Sequence, residues 1–353
     1  MPRTRDVRDA EQWARTVLPG VSRTFALSIR FLPGALGTAV MVAYLLDRIA
    51  DTIEDDGALP AGRKAELLDA FDRALDNAVA ADAFPALAAQ VAGTHAHIEL
   101  LRRSDAACLV LRSLPDATRA IVVRWVREMI GGMRKYVLRY PEGIRIQTLA
   151  EYREYCFYVA GTVGCMLTEL WREHSTSIDE RTYEALWGRC QKFGEALQTV
   201  NILKDIAWDA EHENAIYIPA QSLAEHGSGH DTLLSAAHLE GNKAAIGPFI
   251  ELAWRDLDEA FEYLVLLPRR AVAIRAFCVL PLLYAYATLR DLAASRAMLS
   301  AGGSVKITRA EVRWLMAAGM LTVWSNRGLA LLVRRVKSGP FAPFTAVASQ
   351  TAG

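Results

Sequence analysis

Two acidic clusters stand about 150 residues apart in a chain of 353 residues. The first is Asp51-Thr52-Ile53-Glu54-Asp55-Asp56 and the second Asp205-Ile206-Ala207-Trp208-Asp209. Each sets two aspartates at i and i+4, which a helix places on one face roughly 6 Å apart along its axis. Four carboxylates on apolar helices stay ionised only where cations hold them. Facing each other across a bundle, such pairs make a magnesium cage, and its usual guest is a diphosphate.

The surroundings of each cluster sharpen this expectation. Asp47, Asp51 and Asp55 form one stripe that continues the apolar run Ala39 to Leu46, which favours an inward over a solvated face. Arg48, one turn before Asp51, offers a cation where a phosphate would sit. In the second cluster Gln198, Asn201, Asp205 and Asp209 recur every three or four residues, beside an apolar stripe of Leu197, Val200 and Leu203. The small residues Ala160, Gly161 and Gly164 permit close approach of either a neighbouring helix or a long apolar ligand beside Tyr158; spacing leaves both open. Ser22 or Thr24 can cap a helix, and Arg23 between them reads as a surface charge or a second phosphate contact. His95 and His97, two apart, point away from each other on a helix and read as surface residues. No phosphate-binding loop, dinucleotide fingerprint or nucleophile elbow occurs.

The elements that must position these groups are helices. Ala, Leu, Arg and Glu dominate, and alternating β-branched runs are scarce. The pattern predicts helices near 22–30, 34–55, 61–80, 85–102, 116–139, 147–173, 178–211, 242–266, 269–298 and 308–336. Starts are signalled at Asp116 and at Ser177 or Asp179. We expect an N-terminal segment over 1–20, one all-α domain over 21–337 with its site in the bundle interior, and a frayed tail over 338–353. Lys plus Arg equals Asp plus Glu at 40 each, so nothing suggests a nucleic-acid footprint. Five scattered cysteines without a C-x-x-C pair argue for a reducing, cytoplasmic setting. The N-terminus lacks an apolar signal core, and the run Ala276 to Leu289 is too short to span a bilayer, so we expect a soluble protein with at most peripheral membrane contact.

With these blocks in hand, the chain resembles the squalene/phytoene synthase family of isoprenoid synthases from about Val21 to Met316. The resemblance rests on Ser22 to Phe25, Tyr44 to Asp56, Tyr155 to Gly164, Gly194 to Asp209 with Tyr217-Ile218-Pro219, Phe277 to Pro281, and Val305-Lys306-Ile307. It implies an isoprenoid-synthase helical bundle with a central cavity. By position it makes Asp51 and Asp55 magnesium ligands with Glu54 in support, and Asp205 and Asp209 their counterparts with Asn201 and Gln198 beside them. Arg23, Arg48 and Lys204 match diphosphate-binding positions. Tyr44 and Tyr158 match aromatic positions at the reacting centre, and Phe25 and Phe277 match tunnel positions. The implied chemistry is magnesium-assisted ionisation of a prenyl diphosphate and carbon–carbon bond formation in a dry cavity. Condensation of two farnesyl diphosphates to presqualene diphosphate, then squalene with NADPH near Lys306, is its leading form.

The chain also departs from that pattern. The family's second motif usually reads N-I-x-R-D-x-x-E-D, whereas Lys204 replaces the arginine, Trp208 replaces the glutamate, and no arginine precedes Tyr217. Fewer cations and an added tryptophan at the substrate site raise an alternative, transfer of one prenyl group to an aromatic acceptor. A non-catalytic helical relative is a third reading, disfavoured by the retained aspartates. Chain length, acceptor, reductant and oligomeric state are not legible.

Overall fold

The pattern of apolar residues every three or four positions folds as sixteen α-helices in a computed structural model, which describes residues 4–339 apart from the side chains of residues 4, 5 and 23. They are α1 (Thr4–Val21), α2 (Arg23–Ile29), α3 (Gly34–Glu54), α4 (Ala61–Asp76), α5 (Ala78–Leu87), α6 (His95–Arg102), α7 (Ser104–Ser113) and α8 (Asp116–Arg139). The second half holds α9 (Leu149–Cys156), α10 (Thr162–His174), α11 (Glu180–Trp208), α12 (Ala220–Ala224), α13 (Leu239–Leu266), α14 (Val272–Ala294), α15 (Arg309–Thr322) and α16 (Asn326–Lys337). Five-residue π turns join α9 to α10 (Phe157–Gly161) and extend α11 (Asp209–Glu213).

Local chemistry sets many of the ends. The Ser22, Thr148 and Asp179 side chains accept from the amides of Phe25, Glu151 and Thr182 and so start α2, α9 and α11. The predicted helix 61–80 breaks at Asn77, whose side chain accepts from the Ala80 amide and starts α5. Pro85 lies inside α5, so the helix expected from 85 starts instead at His95. Ser325 divides the span expected over 308–336 by capping α16.

The packing closes a ring. α3 lies on α8, α8 on α10, α10 on α11, α11 on α14, α14 on α2, and α2 returns to α3. Leu45, Leu46, Ile49, Leu170, Trp171 and Phe277 are buried within this architecture. In the segment expected over 1–20, the described residues pack with the rest of the chain: Ala10, Ala14, Val17 and Leu18 of α1 are buried in the common core, against α3 and α7. α14 is 23 residues long, enough to cross a membrane by length and composition, yet it is buried between α11, α13, α15 and α16. Among the described residues there is no strand, only a single parallel bridge, Arg145 with Ile216. The expected tail from 340 onward lies outside the described residues.

Candidate active site

The ring carries the two acidic rows on opposite sides of its interior, one on α3 and one on α11. α3 holds Asp47, Asp51 and Glu54, and Asp55 caps its C-terminus. α11 holds Gln198, Asn201, Lys204 and Asp205, and Asp209 opens the π turn that follows. Each row carries its own cation: Arg48 Nη1 lies 3.3 Å from Asp51 Oδ2, and Lys204 Nζ lies 3.0 Å from Asp205 Oδ2. Asp56 is structural, because its carboxylate accepts from the amides of Ala58, Leu59 and Ala92. Arg23 sits in α2, but its side chain lies outside the described residues.

The field confirms that these acids crowd one another. Burial raises Asp51, against the opposing Arg48. Burial and then Asp51 push Glu54 up to about 8, while Lys64 and a hydrogen bond from Tyr155 pull it back. Burial, Glu213 and Asp51 hold Asp55 far above the carboxylate range. Burial, Glu213 and Asp205 push Asp209 up to about 9.

Glu213 therefore stands between the rows and acts on both, and sequence reasoning missed it. Burial raises its own carboxyl, and Asp205 and Asp51 raise it further, against the Trp208 N–H and Arg48. The π turn brings Glu213 beneath Trp208, at a spacing of five that no 3.6-residue pattern displays. Asn214 ends the turn with φ +52°, and Arg145 clamps it by donating to the Asn214 carbonyl and side-chain oxygens at 2.6 Å each. A Cβ on Gly57 would stand 2.9 Å from the His212 carbonyl oxygen, so the loop after Asp55 packs directly on this turn.

The donor set fits magnesium. It consists of hard carboxylate oxygens, and the buried atoms Glu54 Oε1 and Asp47 Oδ1 have no hydrogen-bond partner. Among the described residues no three Asp, Glu, His or Cys side chains converge to hold a metal alone. That suits an ion that keeps waters and shares its shell with phosphate oxygens. A pH dependence follows from the same crowding. Glu54 and Asp209 keep their protons in the metal-free fold up to about 8 and about 9, whereas the unfolded chain releases them near 4.5 and 3.8. Folding stability thus falls as pH rises through that window. In chelator, the thermal midpoint is expected to drop by on the order of 5 °C between pH 5 and pH 9. Magnesium with inorganic diphosphate should flatten the slope; a midpoint in chelator that rises toward pH 9 contradicts the assignment.

Two cavities meet at the rows. An apolar tunnel of about 150 Å³ runs inward between Phe25, Val40, Val163, Leu167, Phe193 and Phe277. A wider front cleft of about 580 Å³ is lined by Lys204, Asp205, Tyr284 and the segment Val305-Lys306-Ile307. Phe25, Tyr44, Arg48, Leu197 and Asn201 line both and form the rim between them. The Tyr44 ring lies 5.5 Å from Phe25, and its hydroxyl accepts from Arg48 at 3.4 Å. Gln198 lines the tunnel. A third cleft of about 510 Å³ opens behind Glu54, Asp55 and Glu213, with Lys64 in its wall.

Two expected positions change. Tyr158 lines neither the tunnel nor the front cleft: the π turn rotates it onto α8, where its ring presses on Gly132 and Lys135 Nζ stands 5.5 Å from its centroid. The aromatic group at the acids is Tyr155, buried, donating to Glu54 Oε2 at 3.3 Å and stacked on Tyr217 at 4.8 Å. Trp208 lines neither cavity; it is 53% exposed and stacks on His212 at 3.8 Å. The small residues serve both readings: Gly164 packs against the Cys190 carbonyl and Gly194 against the Ala160 carbonyl, while Ala160, Gly164 and Gly194 also line the tunnel. His95 is exposed as expected, but His97 is half-buried, and burial with the nearby Arg48 holds it down to about 4.

Comparison with known proteins agrees with this architecture. A family model described as squalene/phytoene synthase matches residues 18–311. Squalene synthase 1 of Arabidopsis thaliana is 26% identical over 276 residues, which cover 78% of this chain and 63% of that relative. The squalene synthase of Schizosaccharomyces pombe is 27% identical over 275 residues, covering 77% and 57%. The chain thus spans less than two thirds of these relatives' length. The structure of TcSQS with the ligand BPH1237 superposes with a TM-score of 0.80 at 22% identity, covering 93% of this chain and 90% of that one. The squalene synthase HpnC from Alicyclobacillus acidocaldarius gives 0.55 at 21%, covering 81% and 94%. At such identities the superpositions establish a shared fold.

Proposed function

The chain belongs to the squalene/phytoene synthase family, and from that premise we propose that it is a prenyltransferase condensing two farnesyl diphosphates to presqualene diphosphate and squalene. One observation carries the reading. Two acidic rows stand at the junction of a ring-enclosed apolar tunnel and a second, wider cleft, so two hydrocarbon chains can meet beneath one diphosphate site. The curated relatives are named squalene synthases, which favours this reading over transfer to an aromatic acceptor.

Bound magnesium would neutralise the diphosphate and make it a better leaving group. Asp51, Asp55, Asp205, Asp209 and Glu213 would hold it. Arg48 and Lys204, released from their acids, would turn to the phosphate oxygens. Lys306 lines the same front cleft and adds a third cation where the family arginines are missing. Ionisation leaves an allylic cation at the tunnel mouth. The Tyr44 face stabilises it, and the walls of Phe25, Leu167 and Phe277 keep water away. Lys306 would also face the phosphate of a nicotinamide cofactor entering this cleft.

Purified protein with magnesium and farnesyl diphosphate should give presqualene diphosphate without NADPH and squalene with it, read by mass spectrometry. Release of diphosphate without any C30 product refutes the condensation.

A further inference from the structure

Glu211 has no part in the chemistry described so far. It lies in the π turn Asp209–Glu213, between Asp209 and Glu213, yet it is exposed and lines none of the three cavities. Its carboxylate turns instead to a segment 91 residues further along the chain, where the Gly302 amide donates to both of its oxygens at 3.1 Å each. Bonds from an amide to a carboxylate are stronger than those between neutral groups.

Gly302 belongs to a strap, residues 300–307, that leads from the short turn Ala297–Leu299 to the start of α15. Met298, Leu299 and Val305 are buried, whereas Lys306 is exposed. The strap bends at Gly302, with φ +67°, and at Gly303, where an added Cβ would stand 1.7 Å from the Ala297 carbonyl oxygen. Glycine makes the bend possible, but it does not say where the bent strap rests. Among the described residues, the hydrogen bonds that tie 300–307 to another element are the two to Glu211. Beyond the bend, Val305, Lys306 and Ile307 line the front cleft together with Lys204 and Asp205 of α11. The turn that carries Asp209 and Glu213 thus also holds the segment that carries Lys306.

We propose that Glu211 is a positioning residue: through the Gly302 amide it holds the strap to the end of α11 and so keeps Lys306 at the front cleft as a phosphate-binding cation. The inference rests on the diphosphate reading above. A lysine is a point charge on a flexible stem, without the fixed fork of an arginine, so its value to a phosphate depends on how firmly its backbone is held. The tie supplies that firmness where the family arginines are replaced.

Glu211→Ala, Glu211→Gln, Lys306→Ala and the double variant Glu211→Ala/Lys306→Ala test this. Binding of inorganic diphosphate with magnesium is read by calorimetry, and trypsin cleavage after Lys306 by fragment mass. Glu211→Ala should weaken diphosphate binding about three- to tenfold and speed the cleavage several-fold. Its thermal midpoint should stay within about 2 °C of wild type, because both partners are exposed. Glu211→Gln keeps an acceptor oxygen and should retain most of the affinity. The double variant should bind no more weakly than Lys306→Ala alone, since Glu211 acts through Lys306. Additive losses in the double variant, or wild-type cleavage in Glu211→Ala, overturn the inference. Failure of the wild-type chain to bind magnesium diphosphate removes the reading beneath it, and the cleavage rates tell that failure apart from loss of the tie.

Discussion

Asp51→Asn and Asp205→Asn are each expected to lower prenyl transfer by about 10²–10³-fold. Each change removes one negative charge from a row while keeping the shape of the side chain. The loss should exceed that of a single hydrogen bond, because the ion that would bridge the rows needs both. Glu213→Gln should be milder, about tenfold, since it stands between the rows rather than within either. Titration with manganese and inorganic diphosphate, followed by electron paramagnetic resonance, should show weaker binding in the same order. Full activity in Asp205→Asn would remove the facing-row account.

Gly194→Ala is expected to destabilise the fold by about 3 kcal/mol or more, beyond ordinary overpacking. A Cβ there would stand 1.9 Å from the Ala160 carbonyl oxygen and 2.6 Å from its carbon. Both are backbone atoms, so relief requires α11 to move away from the π turn before α10. Gly164 makes the reciprocal contact, 1.9 Å from the Cys190 carbonyl oxygen. Gly188 is the control: it lies on the exposed side of α11 with nothing within 4 Å of an added Cβ. Gly188→Ala should raise stability by about 0.5–1 kcal/mol. The thermal midpoint of Gly194→Ala should fall by roughly 5–10 °C. Equal midpoints for the two variants would contradict the packing described.

How far the sequence could be read follows from what each signal measures. α8 begins at Asp116 and ends at Arg139 as the pattern predicts, because a proline and an apolar stripe both mark it. α7 was invisible, being ten residues long and separated from α6 by one. The aspartates were legible because i, i+4 acids on an apolar helix are rare without a cation. Tyr155 and Glu213 were not, for one shared reason. Glu213 ends a π turn, which adds a residue to the cycle and shifts it by about 100° from the helical pattern, and Tyr155 precedes a π turn that carries Tyr158 away from the acids. The family resemblance directed attention to Tyr158 and Trp208 by motif position, and motif position does not show which way a side chain faces beside a π turn. The π turns depend on tertiary contacts, with Gly57 and the Arg145 clamp on one and the α10–α11 approach on the other.

The Gly57 contact with residues 212 and 213 has a mechanical meaning. It ties the distal ends of both acid-bearing helices together, and the Arg145 clamp keeps that joint from slipping. With the back held in this way, the spacing of the two rows is set at that joint, and the front cleft, between Val21, Ser22 and Phe25 on one side and Val305, Lys306 and Ile307 on the other, is the open side of the site.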